Sequence, residues 1–186
     1  VLAGQFSYNY FPYPRYRVEE PSEKYKGEFS ILWKVASNHN ISFRIKGADD
    51  SGTEKSSLQA MVVYDFVPSS NFSLRGRFDA SFATGDYGFL TYLEARKSFF
   101  GEKLDISLRA TYFNIESWDA RIYCYESDVP GTFSTVAYYG KGASGYILLK
   151  YKPKKWVNVN FRCAGVLNKD PSKDILKLTL GISLLF

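Results

Sequence analysis

Apolar and polar residues alternate along nearly the whole of this chain. Leu2, Phe6, Tyr8 and Tyr10 share one parity at its start. Between Tyr25 and Val35, the series Tyr25, Phe29, Ile31, Trp33, Val35 opposes Lys26, Glu28, Ser30, Lys34. Ile41, Phe43, Ile45 then oppose Ser42, Arg44, Lys46, and Val62, Tyr64, Phe66 oppose Val63 and Asp65. The clearest internal case sets Phe72, Leu74, Phe78, Ala80, Phe82 against Ser73, Arg75, Arg77, Asp79, Ser81. Leu104, Ile106, Leu108, Ala110, Tyr112 against Asp105, Ser107, Arg109, Thr111 repeats it. Side chains on a strand point to opposite faces in turn, so each run reads as a strand with one apolar and one polar face. Further strands are predicted over 87–98, 121–126, 132–139, 144–152, 156–163 and 174–186. No segment holds a 3.6-residue period, and the chain is predicted to be all-β.

The final run has the strictest pattern. Leu176, Leu178, Leu180, Ile182, Leu184 and Phe186 make one wholly apolar face, opposite Lys177, Thr179, Gly181 and Ser183. This series, closed by a terminal aromatic, resembles the C-terminal assembly signal of bacterial outer-membrane β-barrels. The resemblance implies an antiparallel transmembrane barrel and a place in the outer membrane. It also implies lipid and lipopolysaccharide as surroundings, and the barrel-assembly machinery as a partner through Leu178, Leu180, Ile182, Leu184 and Phe186. Short turns at 37–40, 68–71, 100–102 and 153–155 alternate with longer polar connections at 15–24, 47–55, 85–86 and 168–173. Short periplasmic turns and longer outside loops are the rule in such barrels. If 132–139 is a wall strand of its own, about twelve strands result, with both termini periplasmic.

Composition supports this picture. Of 186 residues 18% are aromatic, yet hydrophobic residues total only 45% and mean hydropathy is -0.25. No run approaches the ~18 apolar residues of a membrane-spanning helix. The length suits a single domain over residues 1–186, and the abrupt opening in strand pattern predicts a processed chain or the C-terminal part of a larger barrel. Net charge is +5. The basic residues are spread over alternate strand positions without a block, so a lumen lining fits better than a nucleic-acid patch. Arg44, Lys46, Arg75, Arg77, Arg96, Arg109, Arg121 and Arg162 are predicted to line it, with Glu28, Asp65, Asp79, Glu94 and Asp105 interspersed. A narrow passage of this kind focuses an anion-attracting field, unless basic and acidic side chains pair across it and fill it.

One segment carries more than pattern. Trp118-Asp-Ala-Arg-Ile-Tyr-Cys-Tyr-Glu-Ser-Asp-Val129 is followed by Tyr138-Tyr139-Gly140-Lys141-Gly142. Together these resemble the C-terminal barrel region of Bacteroidota outer-membrane proteins whose upstream helix-hairpin-helix repeats give them a competence or DNA-uptake label. Arg121, Tyr123, Tyr125, Glu126, Asp128, Tyr139, Gly140 and Gly142 carry the motif. Ala120 and Gly131 depart from it, standing where Ser and a bulkier residue are expected. The resemblance implies a membrane anchor for a nucleic-acid-binding module, but the repeats are absent here and no DNA role attaches to these residues. Arg121, Tyr123 and Tyr125 share one strand face and are expected to brace the lumen wall; Tyr138 and Tyr139 read as interfacial aromatics before a turn.

Catalysis is not indicated. The single histidine, His39, falls in a turn without a nucleophile or orienting group at triad spacing. Cys124 and Cys163 occupy apolar strand positions and read as small wall residues, and no spacing suggests a metal or cofactor. The sequence thus predicts a small basic-lined channel, with a membrane anchor as the alternative and a soluble β-rich binding protein as the third.

Overall fold

The computed structural model describes residues 1–184 apart from 15, 17, 54, 133, 155, 170, 171 and 173. Twelve antiparallel strands form: β1 (Leu2–Phe11), β2 (Ser22–Ala36), β3 (His39–Asp50), β4 (Lys55–Ser69), β5 (Phe72–Ala83), β6 (Asp86–Phe99), β7 (Leu104–Ile115), β8 (Ile122–Tyr125), β9 (Thr135–Tyr138), β10 (Gly140–Lys154), β11 (Val157–Asn168) and β12 (Ile175–Leu184). Ten of them make one meandering sheet in the order β1-β2-β3-β4-β5-β6-β7-β10-β11-β12, and β8 and β9 pair only with each other. β1 and β12 are the edges of the sheet, with no ladder between them among the described residues.

The alternation read from the sequence sets the register. Phe78 lies opposite Val62 and Thr91, while Arg77 lies opposite Val63 and Tyr92. Apolar residues therefore stack on one face of the sheet and polar ones on the other. The two-residue turn Thr84-Gly85 joins β5 to β6 with φ of 52° and 93°. Two successive positive φ values match the right-handed twist of the strands that it connects.

The segment 116–139 departs from the sequence reading. Its two strand-like runs were expected to stand in the wall. Instead β7 pairs directly with β10 from Ile115–Gly140 to Leu104–Tyr151, and β8–β9 fold back over one face of the sheet. Length is the reason. Each covers four residues, whereas a wall strand needs ~9–11 to cross a bilayer. With ten wall strands the connections at one end are all short, 37–38, 70–71, 100–103 and 155–156, while the other end carries 12–21, 51–54, 169–174 and the hairpin, with the two-residue turn 84–85 as its exception. The chain start at β1 and the end of β12 both lie at the short-turn end.

Most buried apolar side chains lie between sheet and hairpin. Leu90, Phe113 and Ile115 of the wall meet Ala120, Ile122, Cys124 and Tyr138 of the hairpin, and Val129 packs with Tyr146 and Leu148. We call this the inner face.

The outer face is the reverse. Phe29, Val62, Phe78, Leu93, Leu108, Ile147, Phe161 and Leu180 are all exposed there. On β12 the whole series Leu176, Leu178, Leu180, Ile182 and Leu184 is exposed, by 51–73%; Phe186, the last residue of that series, lies outside the described residues. Aromatics gather at both ends of this face. Tyr8 and Tyr25 pack 5.1 Å apart at one. At the other, Lys97 sits over Phe72 and Phe99, and Lys154 over Trp156. His39, expected as a solvated turn residue, begins β3 there, stacked 4.6 Å from Phe66 with Nδ1 2.5 Å from Tyr64 Oη. From Tyr87 to Phe99 on β6 is roughly 40 Å of strand, or about 30 Å of height after a ~40° tilt. Between the two aromatic zones, no outward side chain of the ten strands is charged among the described residues.

Candidate functional site

Every wall residue predicted to line a lumen lies on the inner face: Arg44, Lys46, Arg75, Arg77, Arg96, Arg109 and Arg162. Most do not stand free. Arg44 reaches Glu28 at 3.3 Å, Arg75 reaches Asp65 at 2.6 Å and Arg77 reaches Asp79 at 2.5 Å. Arg96 and Arg109 share Glu94. The Arg44 and Arg75 pairs are half exposed and worth ~1 kcal/mol or less each. The Glu94 and Asp79 carboxylates are fully buried and depend on their partners.

The hairpin crosses the wall strand by strand, and its own order follows theirs. Asp119 accepts from Lys55 of β4 at 2.9 Å. Arg77 of β5 donates to the Tyr123 carbonyl at 3.3 Å, Arg109 of β7 to the Tyr125 carbonyl at 2.7 Å, and Arg162 of β11 to the Ser127 carbonyl at 3.1 Å. Val129 then comes down on β12, so close that a Cβ on Gly181 would fall 2.2 Å from it. The three arginines thus take alternate carbonyls along one edge of the segment. That edge is the side of β8 that β9 does not pair, because Cys124 faces Val136 and the Glu126 N–H donates to Ser134 on the other side. An unpaired strand edge inside a protein must find donors elsewhere, and here guanidinium groups supply them.

Two acids anchor the arrangement. Glu94 accepts from Arg96 at 2.5 Å, from Arg109 Nε at 2.7 Å and from the Tyr146 hydroxyl at 2.7 Å. The Arg109 guanidinium lies between the Tyr92 and Tyr146 rings, 4.1 and 5.2 Å from their centroids. Glu126, from the hairpin itself, accepts from Arg162 and from the Tyr138 hydroxyl. Arg162 also lies 3.8 Å from Asp128. Burial, reinforced by Glu126, pushes the Tyr138 hydroxyl well above the ordinary tyrosine range. Burial likewise raises the Cys124 thiol, against the pull of Arg77 and Arg109.

The motif residues divide by parity. Ile122, Cys124 and Glu126 are buried toward the wall, whereas Tyr123 and Tyr125 face away. Arg121 points away as well. It donates to the Tyr123 hydroxyl at 2.7 Å and to the Trp118 carbonyl at 2.8 Å, and stacks over both rings. The wall is therefore braced by Arg77, Arg109 and Arg162 with Glu126 and Asp128, and not by Arg121, Tyr123 and Tyr125 as expected. Cys124 belongs to the hairpin rather than the wall; Cys163 lies on β11, and both thiols are free. Tyr138 is buried and not interfacial, while Tyr139 is exposed with its ring edge-on to Trp118. Tyr138 was expected at the interface and Tyr146 was not singled out, because a tyrosine on an alternating strand looks alike on either face.

The two motif glycines have separate reasons. Gly140 has φ of +78° where the segment leaves the interior and joins β10. At Gly142 a Cβ would fall 2.3 Å from the Leu167 carbonyl oxygen and 2.9 Å from Phe113. Gly142→Ala is expected to lower stability by ~1–3 kcal/mol, the usual cost of overpacking. Gly76→Ala, which meets nothing within 4 Å, should be close to neutral by comparison. Urea midpoints of the two variants in detergent check this.

Among the described residues no three His, Cys, Asp or Glu side chains come together to hold a metal. The inner face instead holds a polar crevice of about 430 Å³ between the β1–β5 side of the wall and residues 119–123 of the hairpin.

No family model matches the chain, and no curated protein matches it. Two solved structures align over its whole length. One, described as a KdgM porin in complex with disordered oligogalacturonate, has 12% identity and a TM-score of 0.44, covering 100% of this chain and 90% of its own. The other, a KdgM porin, has 13% identity and a TM-score of 0.38, covering 100% and 99%. Likeness at this level carries no weight for function.

Proposed function

We propose that the chain forms the wall of a β-barrel in a bacterial outer membrane and serves as a small, basic-lined channel narrowed by its own hairpin. The observation that carries this is the outer face: ten strands without an outward charge between two aromatic zones, over a height that suits an outer-membrane wall. A water-soluble sheet places its charges outward. Here they point inward, onto ion pairs and the hairpin. The short turns take the periplasmic side in this reading, which leaves the hairpin and the longer connections at the outer mouth. The exposed apolar ridge of β12 fits the expected hand-over to the assembly machinery.

Anchoring is the second reading, and the filling of the inner face favours it. Most inner-face arginines are already paired, so the open cross-section is small. An anchor could serve an upstream nucleic-acid-binding module of the kind that the motif resemblance implies.

Single-channel recording separates the two. The chain refolded from detergent into a planar bilayer under a salt gradient is expected to give small, stable steps with an anion-selective reversal potential. Insertion without steps would replace the channel by the anchor. Failure to enter the bilayer at all would refute both.

A further inference from the structure

Three cations at the crevice have no carboxylate of their own. Lys26 of β2 and Lys46 of β3 line it from the wall, and Arg121 lines it from the hairpin. Among the described residues none of the three makes an ion pair within 4 Å. The two carboxylates at the crevice are already engaged, Glu28 by Arg44 and Asp119 by Lys55. Elsewhere on the inner face the arginines of β3, β5, β6, β7 and β11 all have acids within reach. Among the described residues Lys34, Lys150 and Lys177 also stand unpaired on the inner face, but none of them lines this crevice. It is here that three unpaired cations meet, which leaves an excess of three positive charges around one cavity. Gln5 and Gln59 add neutral hydrogen-bonding groups to the lining. The Arg121 guanidinium is held in place by the Trp118 carbonyl through Nη1 and by the Tyr123 hydroxyl through Nε, which leaves Nη2 to a ligand. A volume of about 430 Å³ falls in the range of small-molecule sites.

We infer that this crevice is a binding site for a small polyanion bearing two or more oxyanion groups, phosphate or carboxylate. The inference deepens the channel reading by naming a solute class for its lumen. Lysines bind either oxyanion as point charges, and a partly held guanidinium adds directional donors. The lysine side chains are exposed, so the attraction is screened and affinity must fall as salt rises.

Isothermal titration calorimetry of the whole chain in neutral detergent tests this with pyrophosphate and citrate as probes, one for each oxyanion. At least one is expected to bind with a dissociation constant of about a millimolar or tighter, and the Lys26→Gln/Lys46→Gln variant to bind about tenfold more weakly. Preference for one probe tells a phosphorylated from a carboxylated solute. Because neither lysine contacts the packed interior, the variant should retain the wild-type urea midpoint. No heat with either probe up to about 10 mM, or equal affinity in the variant, would overturn the site. Binding does not depend on conduction, so heat without channel steps would retain the site and reject the channel, and steps without heat the reverse.

Discussion

Arg109→Ala is expected to loosen the hairpin from the wall and to be the most damaging single change on the inner face. Its guanidinium carries the Tyr125 carbonyl, reaches the Cys124 sulfur and neutralises Glu94, all in a buried setting. Removing one partner of such a pair strands the other charge, which typically costs ~3–5 kcal/mol. Arg96 remains beside Glu94, which places the expected loss at the lower end of that range. The matched control is Arg44→Ala, whose pair with Glu28 is half exposed and should cost ~1 kcal/mol or less. Urea unfolding of both variants in detergent measures the difference. A second readout follows from geometry: with the hairpin released, channel steps should grow and the Cys124 thiol should become open to water-soluble alkylating reagents. If Arg109→Ala matched Arg44→Ala in stability and left the steps unchanged, the arginine-to-carbonyl ladder would not be what holds the hairpin.

The other large effect belongs to the opposite face. Phe78 stands mid-strand on β5, outward, 48% exposed, and pairs with Val62 and Thr91. Phe78→Arg should lower stability in a bilayer by ~2–4 kcal/mol, the usual cost of an arginine near the midplane. The yield of heat-resistant folded protein in lipid vesicles reports this directly. In a water-soluble sheet the same change, at a half-exposed site, would be nearly neutral. Normal assembly of Phe78→Arg would therefore reverse the assignment of inside and outside. Its neighbour Arg77 lies one residue away but faces the hairpin, so the two positions should respond oppositely to apolar substitution: Arg77→Leu harmful, Phe78→Leu mild.

Most of the wall was legible in the sequence because a period of two is a local signal. Arg75, Arg77 and Asp79 alternate with Leu74, Phe78 and Ala80, and parity alone assigns their faces. The hairpin was not legible for the same reason. Ile122, Cys124 and Glu126 alternate with Tyr123 and Tyr125 as a wall strand would. Only the shortness of the ladder, and the fact that β7 and β10 satisfy each other along their length, moves the segment inward. Pairing between strands separated by the whole hairpin leaves no trace in a local pattern. The anchoring of the hairpin by Glu126 and Asp128 was half visible. Glu126 and Asp128 were marked as motif residues, but their partner Arg162 lies on a strand that begins after two more elements. The pairing of the basic face was foreseen, but which cations would stay unpaired depends on which strands become neighbours.

The adjacency of β7 and β10 also constrains the order of assembly. Their ladder cannot zip until residues 116–139 have been drawn to one end of the sheet, a loop closure with an entropic cost that grows only slowly with loop length. The arginines that hold the hairpin come from β5 and β7 before it and from β11 after it. The first two can capture the segment as it emerges; the third arrives only when β11 joins. Docking of the hairpin is thus complete only when the wall is. A variant lacking the Arg162 contact should stall late, with β1–β7 already formed, whereas loss of the Arg109 contact should be felt before β10 finds its place.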